Sequence, residues 1–225
     1  SPPLPPGEPA RRSFSGGGGR GEGATEVSLP FESVRIELPE GETVFRAGPR
    51  RLALEVGGRA FLVGADTFFQ SNRFLVESLY RHIRDEARRL PPGPALDAFG
   101  GLGLFAGALL DAGCAVTSVE GEPKAASDAL RTRAGWDDRA RWSFLHSSVS
   151  AFLPRAKTFP LVLADPPRAG LGAAAPALAR LAEEKMIYIS CDPATLARDL
   201  PAILAEGFEI ENARPIQAGS VRRCR

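Results

Sequence analysis

From Ala95 onward, short apolar runs alternate with longer helical stretches, and this rhythm restricts the fold more than any other feature of the chain. Strands are expected near 95–98, 115–119, 142–145, 160–164, 186–190 and 208–212, with helices near 104–112, 123–134, 173–184 and 194–205. Strands joined by crossover helices pair in parallel, and a parallel sheet needs cover on both faces. The expectation is an α/β fold, a mostly parallel Rossmann-like sheet with helices on both sides. In such sheets ligands gather beyond the carboxyl ends of the strands.

Ahead of this region the chain reads differently. Residues 1–25 are rich in Pro, Gly, Ser and Arg and include Gly16-Gly17-Gly18-Gly19, so a disordered lead-in is expected. The chain begins at Ser1 and not Met, as a fragment would. Residues 26–90 read as a small antiparallel β element plus a helix. Alternating runs such as Val34-Arg-Ile36 and Leu52-Ala-Leu54-Glu-Val56 are split by Gly48-Pro49 and Gly57-Gly58. Asn72 is the expected N-cap of a helix that places Leu75, Leu79, Tyr80, Ile83 and Ala87 on one face. Arg81, Arg84, Arg88 and Arg89 fall on the other, which reads as a solvated face before it reads as an RNA patch. The linker Pro91-Pro92-Gly93-Pro94 then opens a domain spanning 91–225.

Composition removes several function classes. No apolar run approaches the ~20 residues that cross a bilayer. Three cysteines, Cys114, Cys191 and Cys224, are too scattered for a disulfide framework or a metal knuckle. A reducing, cytoplasmic setting and a monomer without metal are expected, and each thiol must be weighed as a reactive group. With 28 basic and 27 acidic side chains, net charge does not point to nucleic acid. Any RNA contact must be local.

The first strand of the alternation runs into Asp97-Ala-Phe-Gly-Gly101-Leu-Gly103-Leu-Phe105-Ala106. Its Gly101-x-Gly103-x-x-Ala106 spacing fits a nucleotide loop, and Glu120 ends the next strand where a carboxylate could hold ribose hydroxyls. NAD and S-adenosylmethionine both remain open on that evidence. Asp97 favours the second: a carboxylate at the mouth of the loop repels a pyrophosphate but suits a sulfonium and an ammonium. Two more strand ends carry chemistry. One delivers Asp165-Pro-Pro-Arg168-Ala-Gly170, where the prolines hold Asp165 at a rigid turn. The other delivers Ser190-Cys191-Asp192-Pro193, with a helix starting near Pro193 whose dipole favours a thiolate at Cys191. A buried structural cysteine is the competing reading.

These segments, with Thr67-Phe-Phe-Gln70-Ser-Asn72 before them and Ala-Thr195-Leu-Ala-Arg198-Asp199 completing the last, resemble the RNA (uracil-C5)-methyltransferase family. The resemblance runs in the family's order over residues 60–207. It implies a class I methyltransferase fold, S-adenosylmethionine as cofactor, and RNA (rRNA or tRNA) with an unstacked uridine as partner. It makes Cys191 the nucleophile and Gln70, Phe99, Glu120 and Asp165 the cofactor contacts, with Asp97 shaping the same pocket by position. Arg198 is a candidate to stabilise an enolate, a surface ion pair near Asp199 being the plainer role.

The chain also departs from the family. Neither the N-terminal oligonucleotide-binding barrel nor the four-cysteine iron–sulfur site of some members is expected from these residues, and the glycine loop has Leu104 where a small polar contact is usual. Ser147 and Ser148 stand where an acid usually follows the third strand. The family closes on Phe-Pro-x-Thr-x-His-Val-Glu, whose Glu is the catalytic base; here the sequence runs Ala213-Arg-Pro-Ile-Gln-Ala-Gly-Ser-Val-Arg-Arg-Cys-Arg225. The expectation is a methyltransferase that forms its covalent adduct and releases it slowly. A module that binds S-adenosylmethionine and RNA without turnover is the alternative, and an NAD-dependent oxidoreductase a third, for which the sequence offers no hydride-transfer partners.

Overall fold

A computed structural model describes residues 34–37, 43–47, 51–64, 67 and 73–216. The chain divides into two compact units, Ser1–Arg50 and Arg51–Arg225. In the first, β1 (Val34–Glu37) and β2 (Thr43–Ala47) pair antiparallel with Val34 opposite Ala47.

The second unit opens with a hairpin of β3 (Arg51–Val56) and β4 (Arg59–Gly64), turned by Gly57 and Gly58. Both glycines have positive φ, 61° and 81°, as the tight turns matching strand twist require. The antiparallel element foreseen from sequence is therefore two separate hairpin-like pairs. Helix α1 (Arg73–Ala87) buries Val76, Leu79, Tyr80, Ile83 and Ala87 at the expected spacing. Asn72, its expected cap, and Gln70 lie outside the described residues. On the outer face Arg81 pairs with Glu77, Arg84 with Asp85, and Arg89 with Glu86. The arginine run is thus matched by acids of its own helix, the solvated-face reading.

Five strands follow: β5 (Pro94–Ala98), β6 (Ala115–Glu120), β7 (Trp142–His146), β8 (Phe159–Ala164) and β9 (Ala182–Tyr188). They form one parallel sheet in the order β7-β6-β5-β8-β9. Between and after them run α2 (Leu104–Asp111), α3 (Pro123–Ala134), α4 (Val149–Phe152), α5 (Ala175–Leu181) and α6 (Pro193–Leu204). Side-chain alternation divides the core. Ala95, Leu161 and Leu163 join one cluster with Tyr80, Leu109 and Trp142; Leu96, Ala98, Val162 and Ala164 join another with Leu178, Ala179 and Ile203. Both faces of β5 and β8 are therefore buried, as parallel central strands demand.

Three local expectations are corrected. α5 ends at Leu181 and β9 begins at Ala182, although Glu183-Glu184-Lys185 has helical propensity. Tertiary contacts override it: the ladder to β8 runs from Phe159 opposite Ala182, and Lys185 pairs with Glu86 at 2.7 Å. The four-residue helix α4, capped by Ser148 Oγ accepting from Ala151 N, was not foreseen. Residues 208–212 alternate like a strand but form none, and among the described residues β9 is the edge of the sheet. Alternation makes a strand only where a ladder is available. Here Glu211 is held by ion pairs to Arg89 and Lys185, both at 3.3 Å.

The hairpin is joined to α3 along one edge. Asp128 Oδ2 accepts from Gly64 N at 2.7 Å, Thr132 Oγ1 accepts from Leu62 N at 2.9 Å, and Trp136 Nε1 donates to Ala60 O at 2.9 Å. From Asp128 to Thr132 four residues of helix rise about 6 Å and from Gly64 to Leu62 two residues of strand span about 6.6 Å, so these two contacts stay in step, and Trp136 makes the third from just beyond the end of α3. Asp128 also accepts from Arg51 Nε at 2.6 Å and Thr67 Oγ1 at 2.5 Å. These donors hold its carboxyl below the usual carboxylate range against the cost of its burial. Unpaired edge groups are thereby covered by side chains.

Candidate active site

Four of the residues singled out from sequence sit at the carboxyl ends of adjacent strands. The pairings Ala98–Val119, Ala98–Ala164 and Ala164–Tyr188 put the ends of β6, β5, β8 and β9 level with one another. Glu120 ends β6, Phe99 follows β5, Asp165 follows β8, and Cys191 lies three residues beyond β9. At a strand spacing of about 4.8 Å, the row spans roughly 14 Å from the β6 end to the β9 end. Gln70, assigned to the same site from sequence, lies outside the described residues.

The turn after β5 is tightly specified. Phe99 has φ 63°, uncommon for a bulky residue, followed by positive φ at Gly101 and Gly103. Gly100 N donates to Val119 O at 3.1 Å and Gly103 N to Gly100 O at 2.9 Å. Gly103 also faces Trp142, whose ring carbon Cη2 would lie 2.2 Å from any added Cβ. Glu120 is fixed by accepting from Gly101 N at 2.8 Å and from Glu122 N at 2.6 Å. The carboxylate thus ties the glycine turn to the start of α3. Leu104, where a polar contact was considered, is a buried core residue.

Asp97 is fully buried and belongs to the same strand face as Ala95. Its Oδ2 accepts from Ser118 Oγ at 2.9 Å, and Ser118 Oγ in turn accepts from Trp142 Nε1 at 2.9 Å. Its Oδ1 has no hydrogen-bond partner. Burial raises its pKa to about 7, with the charges of Asp165 and Glu120 adding to the rise and the Ser118 bond opposing it. Burial likewise raises Asp165 to about 6. Two carboxyl groups at adjacent strand ends are therefore poised to ionise when a cation arrives.

Cys191 is exposed, which sets aside the buried structural reading, whereas Cys114 is buried. The backbone on both sides of Cys191 is held. Ser190 Oγ donates to Asp192 O at 2.9 Å and accepts from Asp192 N at 3.2 Å. Asp192 then caps α6 by accepting from Ala194 N at 2.8 Å, with Pro193 in the first turn. Arg198 Nε and Nη2 donate to Asp199 Oδ1 at 2.9 and 2.8 Å, and Nη2 to Ala169 O at 2.6 Å. Its guanidinium is committed within the scaffold, the plainer of the two roles considered.

Three residues escaped sequence reasoning: Ser118, Trp142 and Asp199. A serine inside the apolar run 115–119 was the available signal, since it lies directly opposite Asp97 once β5 and β6 are paired. Asp199 was seen only as part of a motif.

Residues 155–214 match the family model described as tRNA (Uracil-5-)-methyltransferase. The chain is 32% identical over 196 residues to an uncharacterized RNA methyltransferase of Streptomyces avermitilis, covering 84% of this chain and 44% of that protein. It is 32% identical over 181 residues to the 23S rRNA (uracil(747)-C(5))-methyltransferase of Shewanella loihica, covering 79% and 48%. The chain belongs to the RNA (uracil-C5)-methyltransferase family. A crystal structure of the tRNA (uracil-54, C5)-methyltransferase of Pyrococcus abyssi, in complex with S-adenosyl-L-homocysteine, superposes with a TM-score of 0.59 at 25% identity, over 77% of this chain and 45% of that one. The chain thus spans less than half the length of these family members. The parallel sheet expected from the strand–helix rhythm carries the Rossmann-like methyltransferase architecture that the family resemblance implied.

Proposed function

We propose that this domain binds S-adenosylmethionine and methylates carbon 5 of uridine in RNA through a covalent adduct at Cys191. The observation that carries the reading is the order of groups along one sheet edge: Glu120, Phe99, Asp165, Cys191, with Asp97 beneath. Glu120 is fixed to accept ribose hydroxyls, and Phe99 presents an aromatic side chain at the same turn. Asp97 and Asp165 suit the cationic methionine end, and the unpartnered Asp97 Oδ1 is a buried acceptor that such a cation would satisfy. When bound, S-adenosylmethionine supplies an electrophilic methyl group.

Carbon 5 of uracil is a poor nucleophile, which explains why a thiol belongs beside this cofactor. The Cys191 thiolate forms a bond to carbon 6, the carbon 5–carbon 6 π electrons pass into an enolate at oxygen 4, and carbon 5 then takes the methyl as the sulfonium bond breaks. Loss of the carbon 5 proton to water then lets the double bond re-form and the thiolate leave, a step that is slow where no side chain is placed as its base. The target base reaches the pocket only when unstacked. Placement of thiolate, ring and methyl in line is the scaffold's contribution. Incubation with methyl-labelled S-adenosylmethionine and uridine-containing RNA, followed by nucleoside mass spectrometry and protein mass spectrometry, tests the reading. Label in 5-methyluridine or in a protein-linked 5-methyl adduct supports it; label on nitrogen or ribose oxygen overturns it.

A further inference from the structure

Asp199 is 2% exposed yet accepts hydrogen bonds from two other segments and from its own neighbour Arg198. Its Oδ2 takes Leu171 N at 2.6 Å and Tyr188 Oη at 2.8 Å; its Oδ1 takes Gly172 N at 3.2 Å and the Arg198 guanidinium at 2.8 Å. Leu171 and Gly172 close the turn that begins at Asp165, Tyr188 is the last residue of β9, and Asp199 itself lies on the helix that Cys191 precedes. Arg198 adds a further bond across the same junction, to Ala169 O. Gly170 completes it: φ is 72°, and an added Cβ would lie 2.5 Å from Asp199 Oδ2, 2.7 Å from Arg198 Nη2 and 3.2 Å from Thr195 Cβ. The turn bearing Asp165 and the helix following Cys191 are thus interlocked through one carboxylate.

We propose that Asp199 is a positioning residue that fixes Asp165 and Cys191 relative to one another, so that the methyl donor and the thiolate are presented in register. This rests on the reading of Asp165 as a cofactor contact and Cys191 as the nucleophile. A carboxylate is needed because every partner is a donor. An amide at this position would turn an N–H towards either the Leu171 side or the Gly172–Arg198 side, where only donors stand, apart from the rotatable Tyr188 hydroxyl. A misplacement of about 1 Å at a reacting centre costs on the order of 100-fold in rate.

The test measures the rate of denaturant-stable, methylated adduct formation with 5-fluorouridine RNA at saturating S-adenosylmethionine, well below the melting temperature. Asp199→Asn is expected to slow adduct formation roughly 10–100-fold, while S-adenosylhomocysteine affinity by calorimetry changes only a few-fold. A cycle with Asp165→Asn decides between positioning and mere support. If Asp199 acts through Asp165, the double variant is slower than either single variant by much less than the product of the two effects. Independent, multiplicative losses overturn the proposal, as does an unchanged adduct rate in a folded Asp199→Asn. If that variant does not fold, Tyr188→Phe, which removes one donor from Oδ2, takes its place in the same cycle with a smaller effect. Absence of adduct in the unsubstituted protein would instead remove the nucleophile assignment, and this proposal with it.

Discussion

Trp142 governs Asp97 through a single hydroxyl: the indole N–H donates to Ser118 Oγ, which leaves the Ser118 proton to be donated to the carboxylate. Ser118 has one proton, so this chain of bonds has one direction. Ser118→Ala would strip Asp97 of its only donor among the described residues and remove the acceptor of the indole N–H. Each buried group left without a partner costs about 1–3 kcal/mol. The expected result is a loss of that order in urea denaturation, together with weaker S-adenosylmethionine binding at pH 7 that recovers at higher pH.

Under the proposed function, Asp97 and Asp165 should make cofactor binding depend on pH. Their folded pKa values, about 7 and about 6, lie above the ordinary carboxylate range. Stability from these raised groups is fully present below the unfolded pKa and is lost as pH rises through about 6 to 7. The ligand-free domain should therefore lose stability from pH 5 to pH 8 by this contribution. A bound cation favours the ionised forms, so affinity for S-adenosylmethionine should rise over the same window. At pH 6.5, calorimetry in buffers of different ionisation enthalpy should register release of about one proton on binding. Proton uptake, or affinity falling with pH, would contradict the assignment of both carboxyl groups to the cationic end.

Under the proposed function Glu120 has two duties, and substitutions separate them. Glu120→Ala removes the acceptor for ribose hydroxyls and also frees the amides of Gly101 and Glu122. A loss of roughly 1.5–3 kcal/mol in S-adenosylmethionine affinity is expected, the range for hydrogen bonds to a charged acceptor. Calorimetry on Glu120→Gln should fall between, since one carbonyl oxygen remains. An unaltered affinity in Glu120→Ala would displace the ribose from this strand end.

Trapping distinguishes the cysteines. With RNA carrying 5-fluorouridine, whose fluorine cannot leave as a cation, Cys191→Ala should abolish the stable adduct seen on a denaturing gel while leaving cofactor binding nearly intact. Cys114 is buried, and Cys114→Ala should still form the adduct. An adduct lost with Cys114 or Cys224 and kept with Cys191→Ala would name a different nucleophile.

Gly103 has no room for a side chain. Its φ is 98° and a methyl group would collide with the Trp142 ring. Gly103→Ala should destabilise the domain by roughly 2–4 kcal/mol, combining a left-handed backbone with overpacking. Thermal unfolding followed by tryptophan fluorescence would show it, with an altered indole signal even in the folded state.

Much of this arrangement can be read before folding, for identifiable reasons. The short apolar runs in β5 and β8 and the spacing of Leu79, Tyr80, Ile83 and Ala87 are local signals, and each is found where its pattern places it. The positions of Asp97, Glu120, Asp165 and Cys191 at strand ends can be read from the strand–helix rhythm, the first two within β5 and β6 and the last two just beyond β8 and β9, and parallel order brings those ends together. Ser118 and Asp199 are not legible in this way, because their partners lie 21 and 28 residues distant, on elements whose pairing must be known first. The start of β9 and the residues 208–212 fail from the opposite cause. Their local pattern is clear, but the ladder to β8 decides one, and the other has no ladder among the described residues.

The matched steps of α3 and β4 have a consequence for how this sequence can change over time. Asp128 and Thr132 engage Gly64 and Leu62 because a four-residue helical interval nearly equals a two-residue strand interval, and Trp136, two residues past the end of α3, adds the contact to Ala60. Substitutions at any one contact weaken one tooth of this rack. A single-residue insertion or deletion between 128 and 136, or between 60 and 64, disengages every tooth beyond it and rotates the inward residues Phe61 and Val63 out of phase. Length in these two stretches is therefore frozen. Relatives that differ widely in size should keep an unbroken count here.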